Sequence, residues 1–290
     1  QSCTVIFLII SIQPIGMILL YALNNMYTST IAKYVIQARM KTENRAFKPV
    51  NCYHDDAPNM KGLEQCPVGI SCKAKGAGTH TEFAERDIQT VKNGIRAITT
   101  DSTRPHLMDR KMHIGCANGA VAQIICRPDH NRVDMTPPIA YWIGRYPSFK
   151  IDWKGKILEY GQFKLQPKTE GDSRRTEVER THGGLRMWPQ FNQSGSWIVL
   201  DLETWMYRSV VQFTALPLTE DQAKAINGHV YEHGGPVCTK NDSSNRADDT
   251  WRAADDENSI AGEDNEPAVV TVSEDAMNDD EGVIHSKQGA

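Results

Sequence analysis

Histidines and carboxylates late in the chain offer the most direct route to chemistry. His229-Val230-Tyr231-Glu232-His233 sets two imidazoles four residues apart with a carboxylate between them. On a helix, His229 and His233 share one face and could hold a single metal ion, with Glu232 beside them as a base. A third ligand would have to come from acids further on, such as Glu257 or Glu263. The alternative is a pair of surface histidines at a helix C-terminus, where the dipole favours them. A second group is His182-Gly183-Gly184-Leu185-Arg186-Met187-Trp188-Pro189, followed later by His233-Gly234 and Cys238. Two histidines brought together can act as general acid and general base. Asp275, Asn278, Asp279, Asp280 and Glu281 offer oxygen ligands, but without the alternating spacing of a calcium loop they read as a solvated tail. No glycine-rich phosphate cradle occurs, so nucleotide chemistry has no support, and no cofactor is expected.

Seven cysteines are scattered at Cys3, Cys52, Cys66, Cys72, Cys116, Cys126 and Cys238, with no C-x-x-C pair. That spacing argues against a zinc ribbon or a thioredoxin-like site. Cys66 and Cys72 could close a short loop in an oxidising compartment; buried free thiols are the equal alternative. Asn192 and Asn241 head two N-x-S/T sequons.

The formal net charge of -4 hides an asymmetry. From Lys240 onward 4 basic residues face 14 acidic ones, so the preceding part of the chain is mildly basic. It has no dense Lys/Arg cluster, and nucleic acid is not an expected partner.

These groups must be positioned by the elements around them. Thr4 to Ala22 is apolar and free of charge, long enough as a helix to cross a bilayer core of roughly 30 Å. Met26, Ile31, Tyr34, Val35 and Ala38 continue at helical spacing among polar residues. The pattern predicts one long helix to about Ala46, kinked at Pro14 and ended by Pro49. Residues 50–78 read as loop, and Thr79 to Ile98 as a helix with Phe83, Ile88, Val91, Ile95 and Ile98 on its apolar face. His113 to Cys126, Ile139 to Ile143, Lys156 to Phe163, Ser196 to Leu200 and Met206 to Leu216 read as strands of a mainly antiparallel sheet. Thr219 starts a helix running to about Glu232. The tail is acidic and expected to be mobile, with Ala268 to Val272 its only strand-like piece.

The N-terminal stretch resembles type IV pilins and pseudopilins. Thr4-Val5-Ile6-Phe7-Leu8 stands where that family writes Thr-Leu-Ile-Glu-Leu, and Gly16 falls at the family's glycine. Tyr34 to Arg39 resembles its amphipathic second half. Asn51-Cys52-Tyr53-His54-Asp55, then His182-Gly183-Gly184 and Ser194-Gly195-Ser196-Trp197, resemble segments of a large pseudopilin-like subfamily. Phe7 replaces the family's glutamate, Ser2 the glycine before the peptidase cut, and Cys3 the first aromatic. The His229–His233 spacing matches the pattern of inverted zinc peptidases. The His182 string with His233 is similar to secreted acid ribonucleases.

The pilin resemblance implies an α+β protein with a long, partly transmembrane N-terminal helix packed on a mainly antiparallel head. Its divisions are residues 1–48 for the membrane or filament helix, 49–240 for the head and 241–290 for the tail. The implied role is structural, in a filament or secretion-type assembly at the cell surface, with Thr4, Gly16, His182, Gly195 and Ser196 as family-motif positions. The implied partners are the membrane and related subunits through the N-terminal helix. The chain starts at Gln1 rather than Met, which raises the expectation of an upstream leader; Lys33, Arg39, Lys41, Arg45 and Lys48 alone would place the body inside. The resemblance instead implies a single-pass protein with an extracytoplasmic body. The other function expected is a membrane-anchored, metal-dependent hydrolase using His229, Glu232 and His233.

Overall fold

The computed structural model describes residues 5–55, 57–75, 82–100, 107–129, 133–164, 181–232 and 269–273. In chain order the elements are β1 (Ile6–Gln13), β2 (Met17–Leu23), α1 (Thr28–Glu43), β3 (Asn51–His54), α2 (Pro58–Lys61), β4 (Ser71–Ala74), α3 (Glu82–Thr99), α4 (Arg110–Ile125) and α5 (Pro138–Ile143). They continue with β5 (Tyr160–Lys164), β6 (Thr181–Pro189), β7 (Trp197–Asp201), β8 (Tyr207–Val210), β9 (Phe213–Ala215), α6 (Glu220–Glu232) and β10 (Val269–Ser273). Two five-stranded sheets result, ordered β2-β1-β10-β3-β4 and β8-β7-β6-β5-β9.

The first apolar run is not a helix. Ile6 pairs with Leu23 and Ile12 with Met17 in an antiparallel hairpin. Pro14, Ile15 and Gly16 make its turn, with a cis Gln13–Pro14 peptide and Gly16 at φ 68°, a conformation glycine adopts without a Cβ penalty. Val5, Ile6, Ile9, Ile10 and Ile12 are β-branched and favour a pleated strand. Along β1 the side chains alternate between two cores. Phe7 and Ile9 enter one with Ile88 and Val91 of α3 and Ala117 of α4; Leu8 and Ile10 enter the other with Ile31 and Val35 of α1. A central strand covered on both faces has no place for charge, and that explains the charge-free run without lipid.

The α+β class therefore stands without the long N-terminal helix. Among the described residues no helix is long and apolar enough to cross a membrane. The single-pass location, and the transmembrane and prepilin character drawn from the run, are corrected accordingly. Only the second half of the expected helix forms, as α1, which buries Ile31, Ala32, Val35, Ala38 and Thr42.

Helix α4 replaces another expected strand. Asp109 caps it, its Oδ1 accepting from the Met112 amide at 2.7 Å. The helix runs between β2 and β6 and is buried nearly all round, which erases the helical period from its sequence. Its small residues allow close approach: a Cβ at Gly115 would stand 2.4 Å from Met187 Sδ, and one at Gly119 2.5 Å from Ile157 Cδ1. Ile139 to Ile143 is likewise helical, started by Pro138 and stopped by Gly144 at φ 73°. Helix α3 buries Ile88, Val91, Ile95 and Ile98 but leaves Phe83 exposed.

Residues 50–78, expected as loop, contribute β3, α2 and β4. Strand β10 lies parallel to β1 and antiparallel to β3, bringing a segment of the acidic C-terminal region into the middle of the first sheet. The second sheet is antiparallel throughout.

Candidate functional site

The second sheet and α6 enclose a cleft of about 330 Å³. Tyr160 of β5, Gly183 of β6, the Leu202–Glu203–Trp205 turn after β7, and Gln222, Ala225, Ile226 and His229 of α6 line it. Helix α6 begins with a reciprocal cap: the Gln222 amide donates to Thr219 Oγ1 at 3.3 Å, and the Thr219 amide donates to Gln222 Oε1 at 3.0 Å. Gln222 Nε2 also donates to Tyr160 Oη at 2.8 Å, closing one end of the cleft. Ile226 and Val230, four residues apart, bury one helix face in the core and fix where His229 stands.

The register of β6 on β7 assembles the polar group. Gly184 lies opposite Asp201, and the Leu202 amide donates to the Gly183 carbonyl at 3.1 Å, so His182 falls beside Glu203. Ligand-type atoms of His182, Asp201 and Glu203 all lie within 4.8 Å of one another. His182 Nδ1 is 2.6 Å from Glu203 Oε2, but the carboxylate is off the ring N–H direction, and the nitrogen has no aligned hydrogen-bond partner among the described residues. Asp201 is fully buried; its Oδ1 accepts from the Glu203 amide at 3.0 Å and its Oδ2 from Thr204 Oγ1 at 2.8 Å. Arg208 Nε stands 3.7 Å from Oδ2 and partly offsets the local negative charge. Each carboxylate oxygen has two lone pairs, so these hydrogen bonds leave acceptor capacity.

Gly184 is required by this packing. A Cβ there would stand 2.5 Å from Val199 Cγ1 and 2.7 Å from Phe163 Cε1.

The opposite wall is equally anchored. Trp205 stacks on His229 with centroids 4.1 Å apart and planes 11° from parallel. Trp205 Nε1 donates to Asp109 Oδ2 at 2.6 Å, and Lys111 Nζ donates to the Trp205 carbonyl at 2.7 Å. The cap of α4 thus holds the floor of the cleft. Tyr207 Oη donates to the Lys111 carbonyl, and burial pushes the Tyr207 hydroxyl's pKa well up.

No known family model matches the chain. No curated protein matches it either.

The residues singled out in sequence are dispersed. Gly16 turns the β1–β2 hairpin in the first sheet. Gly195, at φ 61°, and Ser196 form the β6–β7 turn, where the Ser196 hydroxyl meets Gln190 and Asn192. That turn is at the far end of β6 from His182, roughly 20 Å along the strand. Thr4 and His233 lie outside the described residues. His229 sits on the cleft wall, whereas Glu232 is exposed in the last residue of α6. Of the sequence candidates, His229 lines the cleft, and His182 stands beside it through its approach to the lining residue Glu203.

Asp201, Glu203, Trp205, Tyr160 and Gln222 were not singled out. A signal for the carboxylates was present: Asp201 and Glu203 follow the apolar run Trp197–Leu200, where the strand gives way to a turn.

Proposed function

We propose that the protein is a divalent-metal-dependent hydrolase whose metal is held by His182, Asp201 and Glu203 at the edge of the cleft, which Glu203 lines. The observation that carries this reading is the convergence of one imidazole and two carboxylates within 4.8 Å beside a cavity, with Asp201 buried, His182 half-buried and Glu203 exposed. One nitrogen and two carboxylate ligands suit zinc or manganese. Such an ion would lower the pKa of a bound water and polarise the oxygen of an ester or phosphoryl group. His229, held flat against Trp205 on the other wall, supplies an imidazole able to move a proton. Leu202, Trp205 and Ile226 give the cavity apolar surface, so the fitting substrate is a small ester with an apolar arm.

This reading moves the metal away from the His229–His233 pair. The structural, filament-type role expected from the sequence leaned chiefly on a long N-terminal helix, where Ile6–Leu23 forms a hairpin instead, and the His182, Asp201 and Glu203 group is what favours the hydrolase reading.

The test is hydrolysis of nitrophenyl carboxylates, phosphate monoesters and phosphate diesters by chelator-stripped protein, with and without added zinc or manganese. Metal-stimulated turnover of at least one class, lost in Asp201→Asn, is the expected result. No turnover above the blank in any class, or equal turnover in the variant, would overturn it.

A further inference from the structure

The first sheet carries a second chemical group, remote from the cleft. Cys52 on β3 and Cys72 on β4 are direct partners in the parallel ladder. The Ser71 amide donates to the Val50 carbonyl at 3.2 Å and the Lys75 amide to the His54 carbonyl at 3.0 Å, which holds the two strands in that register. Paired residues on neighbouring strands sit about 4.8 Å apart, within the Cα range that a disulfide spans. Cys52 is fully buried, while Cys72 is half-buried on the edge strand of the sheet. Both are free thiols.

We propose that Cys52 and Cys72 form a reversible dithiol site oxidised by hydroperoxides. Cys72 is the sulfur that reacts first, because it is the one open to solvent, and Cys52 resolves it. The Cys52 S–H donates to Cys72, which lowers the Cys72 pKa and raises that of Cys52. In the first step the Cys72 thiolate attacks the hydroperoxide: an S–O bond forms, the O–O bond breaks, and the alcohol or water leaves. In the second, the Cys52 sulfur attacks the sulfenic sulfur of Cys72: an S–S bond forms, the S–O bond breaks, and hydroxide leaves with the Cys52 proton as water. The thiols together lose two electrons and the hydroperoxide gains them. The product ties edge strand β4 covalently to β3. Cys66 belongs to the same core, yet the ladder places Cys52, not Cys66, opposite Cys72.

The test exposes the full chain to hydrogen peroxide, blocks remaining thiols by alkylation, and maps the digest by mass. The expected result is a Cys52–Cys72 cross-linked peptide, lighter by two hydrogens, that disappears on reduction with dithiothreitol. Cys66→Ala keeps that peptide and Cys72→Ala loses it. A Cys66–Cys72 link, a Cys72 sulfinic acid beside an alkylated Cys52, or unreacted thiols throughout would each overturn the proposal. The wild-type map alone decides the matter if Cys72→Ala does not fold.

Discussion

In the first sheet β1 is dry on both faces, while edge strand β4 exposes Ser71 and Lys73; the second sheet is dry on one face and wet at one end. In β1 every residue from Phe7 to Ile12 is buried, whereas β5 alternates exposed Gln162, buried Phe163 and exposed Lys164. A strand covered on both faces has no room for a solvent-facing site, and the first sheet's notable chemistry, a pair of thiols in register, falls at its edge. In the second sheet a strand end meets solvent under α6, and there His182, Asp201 and Glu203 converge. The proposed site lies at the boundary between dry and wet, not in the most conspicuous apolar stretch.

Charge should therefore be intolerable in one sheet and harmless on the outer face of the other. Ile10→Asp places an unpaired carboxylate in a fully buried position and should cost more than about 4 kcal/mol, a large share of a domain's stability. Gln162→Asp, on the exposed face of β5, should change stability by no more than about 0.5 kcal/mol. Urea midpoints of the two variants measure the contrast.

Within the second sheet, Gly184→Ala should cost about 1–3 kcal/mol, because its Cβ would press on Val199 and on the Leu200 carbonyl oxygen 3.0 Å away. The same substitution at Gly144, where a Cβ meets nothing within 4 Å, should act only through its φ of 73° and cost less. Thermal melts separate the two.

The core between the sheets should respond to pH. His113 of α4 lies against Phe7 of β1, with ring centroids 6.3 Å apart, and burial lowers its pKa. The unfolded chain then binds the proton more readily than the folded one. Stability should fall as pH drops below about 6.5, by at most about 1.4 kcal/mol per pH unit, and level off below the folded pKa. His113→Gln should flatten that slope in urea titrations between neutral and mildly acidic pH. Asp152 loses its contribution at more acidic pH. Burial opposes its charge, but Arg145, at 2.6 and 2.7 Å, and the Ser148 amide outweigh that and hold its carboxyl below the usual range.

The smallest effect sharpens the site itself. Arg208 shares the charge of Asp201, so Arg208→Gln should tighten divalent-metal binding by a few-fold in a calorimetric titration. Unchanged or weaker binding would mean that the guanidinium is not competing with the ion.

Local signals in the sequence were read correctly where one element decided them. Thr219 starts α6 as its residue type predicts, and Trp197–Asp201 and Tyr207–Val210 are strands of an antiparallel sheet. Burial on all sides defeated the rest. In β1 and α4 no polar face survives to reveal the period, so a two-sided strand resembled a membrane helix and a packed helix resembled a strand. The site was half visible. His182 stood out by its glycines, but Asp201 and Glu203 come beside it only through the β6–β7 register, which no single stretch of sequence displays.

Whether His182, Asp201 and Glu203 hold a metal decides between the hydrolase and every other role. Calorimetric titration of the chelator-stripped chain with zinc and with manganese tests it most directly. One ion per chain, with affinity reduced about 100-fold or more in Asp201→Asn and unchanged in Glu232→Gln, is the predicted result. No binding by the wild-type chain, or equal binding by Asp201→Asn, would contradict it.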